Sequence, residues 1–244
     1  MADEKVLVVE NVKKRYGEVE ALKGVSFEVR AGEVFGILGP NGAGKSSLIK
    51  ILTCFSRPSS GSVKIGGVAI AHVRKIKRLI GWVPQEDTFY GKLSVEENLV
   101  YFGSLYDVPK REMKEKIPEL LRLVGIEQKR KAVSESLSGG MKRRLSIAIA
   151  LIHDPKVVYL DEPTAGVDPV SRMELWSVVD SIRKGGMTVL FCTHYLDEAE
   201  RLCDRIAILK AGEVVAVGTP AELKKKYGKT MEEVFVRVVK GNVK

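Results

Sequence analysis

The run Gly39-Pro40-Asn41-Gly42-Ala43-Gly44-Lys45-Ser46 has the spacing G-x-x-x-x-G-K-S, in which small residues let successive backbone N–H groups curl around an anion. Gly39, Gly42 and Gly44 keep side chains out of the path of approaching phosphate oxygens. Lys45 supplies a mobile ammonium for the β and γ phosphates of a nucleoside triphosphate, and the Ser46 hydroxyl is a ligand suited to Mg²⁺. The strand-like run Val34-Phe35-Gly36-Ile37-Leu38 leads into the loop. Leu48, Ile49, Ile51 and Leu52 follow it with helical spacing, so a positive helix N-terminus faces the bound anion.

A second run, Val157-Val158-Tyr159-Leu160-Asp161-Glu162, is an apolar strand ending in two adjacent carboxylates. Parallel sheets bind ligands at such strand ends. Asp161 suits Mg²⁺, directly or through a water. Glu162, expected to point the opposite way on a strand of period two, suits orienting and deprotonating an attacking water. A third run, Leu137-Ser138-Gly139-Gly140-Met141, precedes a helix carrying Leu145, Ile149 and Ile152. Ser138 is placed to cap that helix, and Gly139 and Gly140 leave amides open at its positive end.

The elements that must hold these groups read as an α/β domain. Leu7-Val8-Val9, Val25–Val29 and Glu33-Val34-Phe35 lie between glycines as an antiparallel sheet, which Ser62–Ile65 extends. Val95, Leu99, Phe102 and Leu105, then Ile117, Leu120, Leu121 and Val124, have helical periodicity, so residues 86–153 read as a mostly helical insertion. From Val157 the pattern alternates between strand and helix, which favours a parallel sheet: a helix through Met173, Leu175, Trp176 and Val179, the strand Thr188–Phe191, and a helix from about Tyr195. Arg205–Leu209 and Glu213–Val217 form a hairpin, and two short basic helices follow.

Forty basic against 31 acidic side chains give a net charge of +9, which favours anionic partners without choosing among them. The basic clusters, Arg74 to Arg78, Lys129 to Lys131, Lys142-Arg143-Arg144 and Lys224 to Lys226, read as solvated helix faces or loops. No apolar run approaches the roughly 18 residues that a membrane span needs, so any membrane role is expected to come through a partner. The N-terminus shows no secretory signal, and cytosolic residence is the expectation. Cys54, Cys192 and Cys203 are too few and too scattered for a metal site or a disulfide framework. His72 and His153 match no motif and are assigned to surface or packing.

Over essentially its full length the chain resembles the nucleotide-binding subunits of ATP-binding cassette (ABC) transporters, closest to those of multidrug and polysaccharide exporters. The resemblance implies a P-loop NTPase core with a mixed, largely parallel sheet, an N-terminal antiparallel β subdomain and an inserted helical subdomain. Residues 1–85 and 154–220 would form the core, 86–153 the helical part and 221–244 a C-terminal tail. By resemblance, Gly39 to Ser47 bind the phosphates, Tyr16 stacks on adenine and Asp161-Glu162 close the acidic strand. Gln85 in Trp82-Val83-Pro84-Gln85 senses Mg²⁺ and water, and Ser138-Gly139-Gly140 is the signature loop. Asp168 would lie in the dimer-contact loop, and His194 would be the switch histidine that meets the γ phosphate.

The implied cofactors are ATP and Mg²⁺. The implied partners are a second copy or a related cassette, head to tail, and an integral membrane permease, which would hold the protein at the cytoplasmic face of the membrane. A soluble cassette ATPase acting on nucleic acid or ribosomes is the alternative, and nucleic acid is not the expected partner. Met141 departs from the Gln frequent in the family, and Gly166-Val167 from its Ala-Leu.

Overall fold

The computed structural model describes residues 4–241. In chain order its elements are β1 (Lys5–Tyr16), β2 (Val19–Arg30), β3 (Val34–Leu38), α1 (Lys45–Leu52), β4 (Ser60–Ile65), β5 (Val68–Ala69), α2 (Val73–Leu79) and β6 (Ile80–Val83). Then come α3 (Val95–Leu105), α4 (Lys110–Leu123), α5 (Gly139–Leu151), β7 (Val157–Asp161), α6 (Pro169–Lys184), β8 (Thr188–Thr193) and α7 (Leu196–Leu202). The chain closes with β9 (Arg205–Lys210), β10 (Glu213–Gly218), α8 (Pro220–Tyr227) and α9 (Met231–Lys240).

Two sheets result. One is antiparallel, in the order β2-β1-β4-β5. The other is mixed, in the order β10-β9-β3-β8-β7-β6, with β9, β3, β8, β7 and β6 mutually parallel and β10 antiparallel at its edge. The central strands β3 and β8 are buried along their whole length, as parallel strands covered on both faces must be. On one face Phe35, Ile37, Tyr159 and Leu190 join α1 and the antiparallel sheet in a single core. On the other, Val34, Leu38, Val158, Leu160 and Phe191 pack with residues of α3 to α7.

Local chemistry explains the boundaries that position the site. Ser94 caps α3 through a reciprocal capping box with Glu97, and Thr219 does the same for α8 with Glu222. The Ser138 side chain accepts from the Met141 N–H at 3.3 Å, so α5 begins where the serine allows. Asp168 caps α6 by accepting from the N–H groups of Val170 and Ser171, with Pro169 as its first residue.

Besides placing Val34 and Phe35 in β3 of the mixed sheet, parallel to β8 and β9 and not in the antiparallel sheet expected for Glu33-Val34-Phe35, the structure corrects two sequence expectations. Arg143 and Arg144 are 5% and 7% exposed, not solvated. Arg144 pairs with Glu174 at 3.0 Å, and Arg143 donates to the backbone carbonyls of Pro84 and Gln85. Their neighbour Lys142 is only half-buried, so the helix buries part of a basic run that looks uniformly exposed in the sequence. The second correction concerns Glu162. Strand alternation does not orient it, because β7 ends at Asp161 and Glu162 lies in the left-handed region at φ 46°. A turn that is costly for a residue with a Cβ therefore aims this carboxylate.

Candidate functional site

The phosphate loop connects β3 to α1, and its backbone needs its glycines. Gly42 and Gly44 have φ of 79° and 108°, and a Cβ built on Gly44 would meet the Ala21 carbonyl oxygen at 2.8 Å. Gly39 is needed for close approach, since a Cβ there would sit 2.5 Å from the Leu209 carbonyl oxygen. Ala43 is buried beneath the loop, and its carbonyl accepts from the Gly212 N–H at 2.9 Å. The β9–β10 turn thus supports the loop from below.

A cleft of about 700 Å³ opens above this loop. Pro40, Asn41, Gly42, Gly44, Lys45, Ser46 and Ser47 line it from one side, and Gln85, Glu162 and His194 come in from three other segments. Four stretches scattered between positions 40 and 194 therefore meet at one surface. Sequence reasoning missed the opposite wall, where Val19, Glu20, Ala21 and Lys23 of β2 join Ala211. Exposed strand residues of this kind carry no local signal beyond proximity to Tyr16.

Lys45 is 6% exposed, and its ammonium donates to the carbonyls of Gly39 at 2.6 Å and Pro40 at 3.4 Å. The same Nζ lies 3.7 Å from Glu162 Oε1. Glu162 Oε2 in turn lies 3.2 Å from His194 Nδ1, a contact without hydrogen-bond alignment that leaves the buried Nδ1 with no hydrogen-bond partner. Ammonium, carboxylate and imidazole thus sit in a row along the cleft floor. Such a row has the parts to bind a phosphoryl group, hold a water and exchange a proton.

Asp161, at the end of β7, does not line the cleft itself. Burial pushes its carboxyl above the usual range, and the neighbouring Glu162 carboxylate adds to the effect, against the pull of Lys45 and Arg143. Two acids crowded at a partly buried strand end favour a nearby cation. The Ser46 hydroxyl, the Gln85 side-chain oxygen and the Asp161 carboxylate are all oxygen donors, which suits a hard ion such as Mg²⁺. Among the described residues no group of three or more His, Cys, Asp or Glu side chains could hold a metal.

Besides Asp161 and the loop residues Gly39 and Ala43, four expected site residues do not line the cleft. Tyr16 is 46% exposed at the end of β1, with Lys14 Nζ 4.8 Å from its ring centroid. Ser138, Gly139 and Gly140 form the N-terminus of α5 and are not part of the cleft wall. Gly140 has a packing reason to be glycine, because a Cβ would meet Ser171 Cβ at 2.5 Å, whereas nothing lies within 4 Å of one on Gly139. Arg143, one turn further along α5, reaches the Pro84 and Gln85 carbonyls and thereby ties the Ser138 helix to the Gln85 segment.

The family model described as ABC transporter matches residues 22–165. The linearmycin resistance ATP-binding protein LnrL of Bacillus subtilis is 43% identical over 224 residues, covering 91% of this chain and 72% of the relative. The Nod factor export ATP-binding protein I of Ralstonia nicotianae is 42% identical over 219 residues, covering 89% of this chain and 68% of the relative. Among solved structures, the ATP binding subunit of an ABC transporter superposes with a TM-score of 0.86 at 30% identity, covering 96% of this chain and 99% of the other. CbiO1 of Clostridium perfringens, part of the ABC transporter complex cbiONQ, gives a TM-score of 0.86 at 30% identity, covering 99% and 98%.

Proposed function

The chain belongs to the ABC transporter family, and from that premise we propose that it is the ATP-binding and hydrolysing subunit of an exporter, acting through a separate membrane permease. Its ATP-binding cassette is of the kind that hydrolyses ATP to drive transport. The export direction is supported by relatives named for drug resistance and for Nod factor export. The alternative of action on nucleic acid or ribosomes gains no support from them. No helix among the described residues is long and apolar enough to cross a membrane, which fits a subunit held at the cytoplasmic face by its permease.

The observation that carries the reading is the row formed by Lys45, Glu162 and His194 at the floor of the phosphate-loop cleft. Lys45 turns from the Gly39 carbonyl to the β and γ phosphates, which leaves Glu162 free to orient and deprotonate a water. His194 takes the γ-phosphate side of that water, and Gln85 stands across the cleft. Tyr16 is assigned to the adenine. Bound Mg²⁺, held by Ser46 and Asp161 with Gln85 nearby, would neutralise charge on the transferring phosphoryl group.

Ser138, Gly139 and Gly140 lie outside the wall of this chain's own cleft, so their anion-binding amides are assigned to the nucleotide of a second copy in a head-to-tail pair. Asp168 lies in the loop that contacts that copy. Residues 86–153 form the helical lobe that the Gln85 segment links to the core of 1–85 and 154–220, and 221–244 is the tail. Glu162→Gln tests the chemistry: ATP binding should persist while turnover falls by about a hundredfold or more, as loss of a general base entails. Normal turnover by this variant would sink the assignment.

A further inference from the structure

Glu198, in the first turn of α7, is 0% exposed and plays no part in the chemistry described above. Its carboxylate receives three donors. The Thr193 hydroxyl donates to Oε2 at 2.7 Å, the Thr164 hydroxyl donates to Oε1, and the Trp176 indole N–H lies 3.4 Å from the same Oε1. The Thr193 oxygen already accepts from the Tyr195 N–H at 3.0 Å, which directs its own proton to Glu198. Both carboxyl oxygens therefore act as acceptors, Oε1 towards Thr164 and Trp176 and Oε2 towards Thr193.

The two hydroxyls belong to the two segments that carry the reacting groups. Thr193 immediately precedes His194. Thr164 lies two residues after Glu162, in a turn closed by the Ala165 N–H on the Glu162 carbonyl at 3.1 Å and the Val167 N–H on the Thr164 carbonyl at 3.1 Å. Beyond the parallel β7–β8 ladder, whose last pair is Asp161 with Cys192, the Glu162 N–H donates to the Cys192 carbonyl at 2.9 Å and joins these segments at the cleft floor. Glu162 sits in a left-handed conformation that relaxes unless its surroundings over-determine it. An apolar side chain in its place would leave the buried Thr164 and Thr193 hydroxyls without their acceptor. What the carboxylate does, and an apolar group could not, is fix the spacing of the two segments from behind.

We propose that Glu198 is a positioning residue, a strut that binds Thr164 and Thr193 and so sets the 3.2 Å approach of Glu162 to His194. The proposal rests on the assignment of Glu162 and His194 to hydrolysis. Glu198 does not line the cleft, so it acts without touching nucleotide. Trp176 completes the brace from α6, with the guanidinium carbons of Arg172 and Arg201 lying 4.9 and 5.1 Å from its ring centroid.

The test uses the full chain and two variants, Glu198→Gln and Thr193→Val. The first replaces one of the two acceptor oxygens by a donor, and the second keeps the carboxyl while removing one of its donors. Both should lower kcat for ATP by at least about tenfold, since displacements near 1 Å can cost a hundredfold, while KM for ATP stays within about twofold. In the nucleotide-free protein the His194 ring resonances should move in both variants, and those of His72 and His153 should not. Unchanged kcat, or a loss of kcat matched by an equal rise in KM, would overturn the proposal, as would His194 resonances identical to wild type. If the wild-type chain shows no ATP turnover, the hydrolytic assignment fails by itself, and the His194 resonances still report whether the strut exists.

Discussion

Two glycines of the phosphate loop are both left-handed but differ in what surrounds them, which separates two reasons for glycine. At Gly42, φ is 79° and a new Cβ would meet nothing within 4 Å. Gly42→Ala therefore incurs only left-handed strain, roughly 1–2 kcal/mol, partly offset by about 0.4–1 kcal/mol from a less mobile unfolded chain. At Gly44, φ is 108° and the new Cβ would lie 2.8 Å from the Ala21 carbonyl oxygen and 2.9 Å from Leu22 Cδ2. Carbon neighbours prefer about 3.5–4.0 Å, so β2 or the loop must shift, and overpacking of this kind costs typically about 1–3 kcal/mol more. The net losses come to about 1 kcal/mol for Gly42→Ala and about 2–4 kcal/mol for Gly44→Ala. For a chain of this size each kcal/mol moves the melting midpoint by about 2–4 °C, so the midpoints should fall by roughly 3 °C and 5–15 °C respectively. Differential scanning calorimetry of the nucleotide-free variants reads this directly. Equal shifts, or a larger one for Gly42→Ala, would refute the argument that β2 presses on the loop.

Other variants probe the remaining supports. Gly140→Ala should lower the midpoint by about 2–4 °C, because the overlap with Ser171 exceeds the gain in helix propensity, and Ser171→Gly should restore it, while Gly139→Ala should leave stability unchanged or slightly raised. Ser94→Ala removes a capping box and should cost about 1 kcal/mol in a denaturant titration. Asp161 titrates above the usual carboxylate range when folded, so the stability tied to its proton is full below the unfolded value and is lost as pH rises through the folded one. Asp161→Asn, free of Mg²⁺ and nucleotide, should accordingly melt higher than wild type at neutral pH and match it in acid.

Legibility in the sequence followed the physics of each element. The phosphate loop, β3 and the start of α1 were readable because glycine, lysine and serine at fixed offsets have few other uses, and Ser138 was readable because a cap is a local event. The full twelve-residue lengths of β1 and β2 were not, since polar residues such as Lys13 and Lys14 lie in their bulged, partly solvated ends, where register shifts break alternation. The helix α2 buries only Ile76, too little for a periodic signal, and β6 is four residues with Gly81 inside. The left-handed turn at Glu162 and the burial of Glu198 are tertiary facts. An acidic pair such as Asp197-Glu198 opening a helix looks like ordinary dipole compensation until Thr164 and Thr193 arrive from elsewhere in the chain.

The central claim is that ATP joins two copies, the phosphate loop of one facing Ser138 of the other. Sedimentation velocity of Glu162→Gln with and without ATP tests it most directly, with Ser138→Arg added in the same background as control. The account expects monomers without ATP, dimers with it, and monomers that still bind ATP once Ser138 is replaced. A Glu162→Gln protein that binds ATP yet stays monomeric, or dimerises equally well with Ser138→Arg, would contradict it.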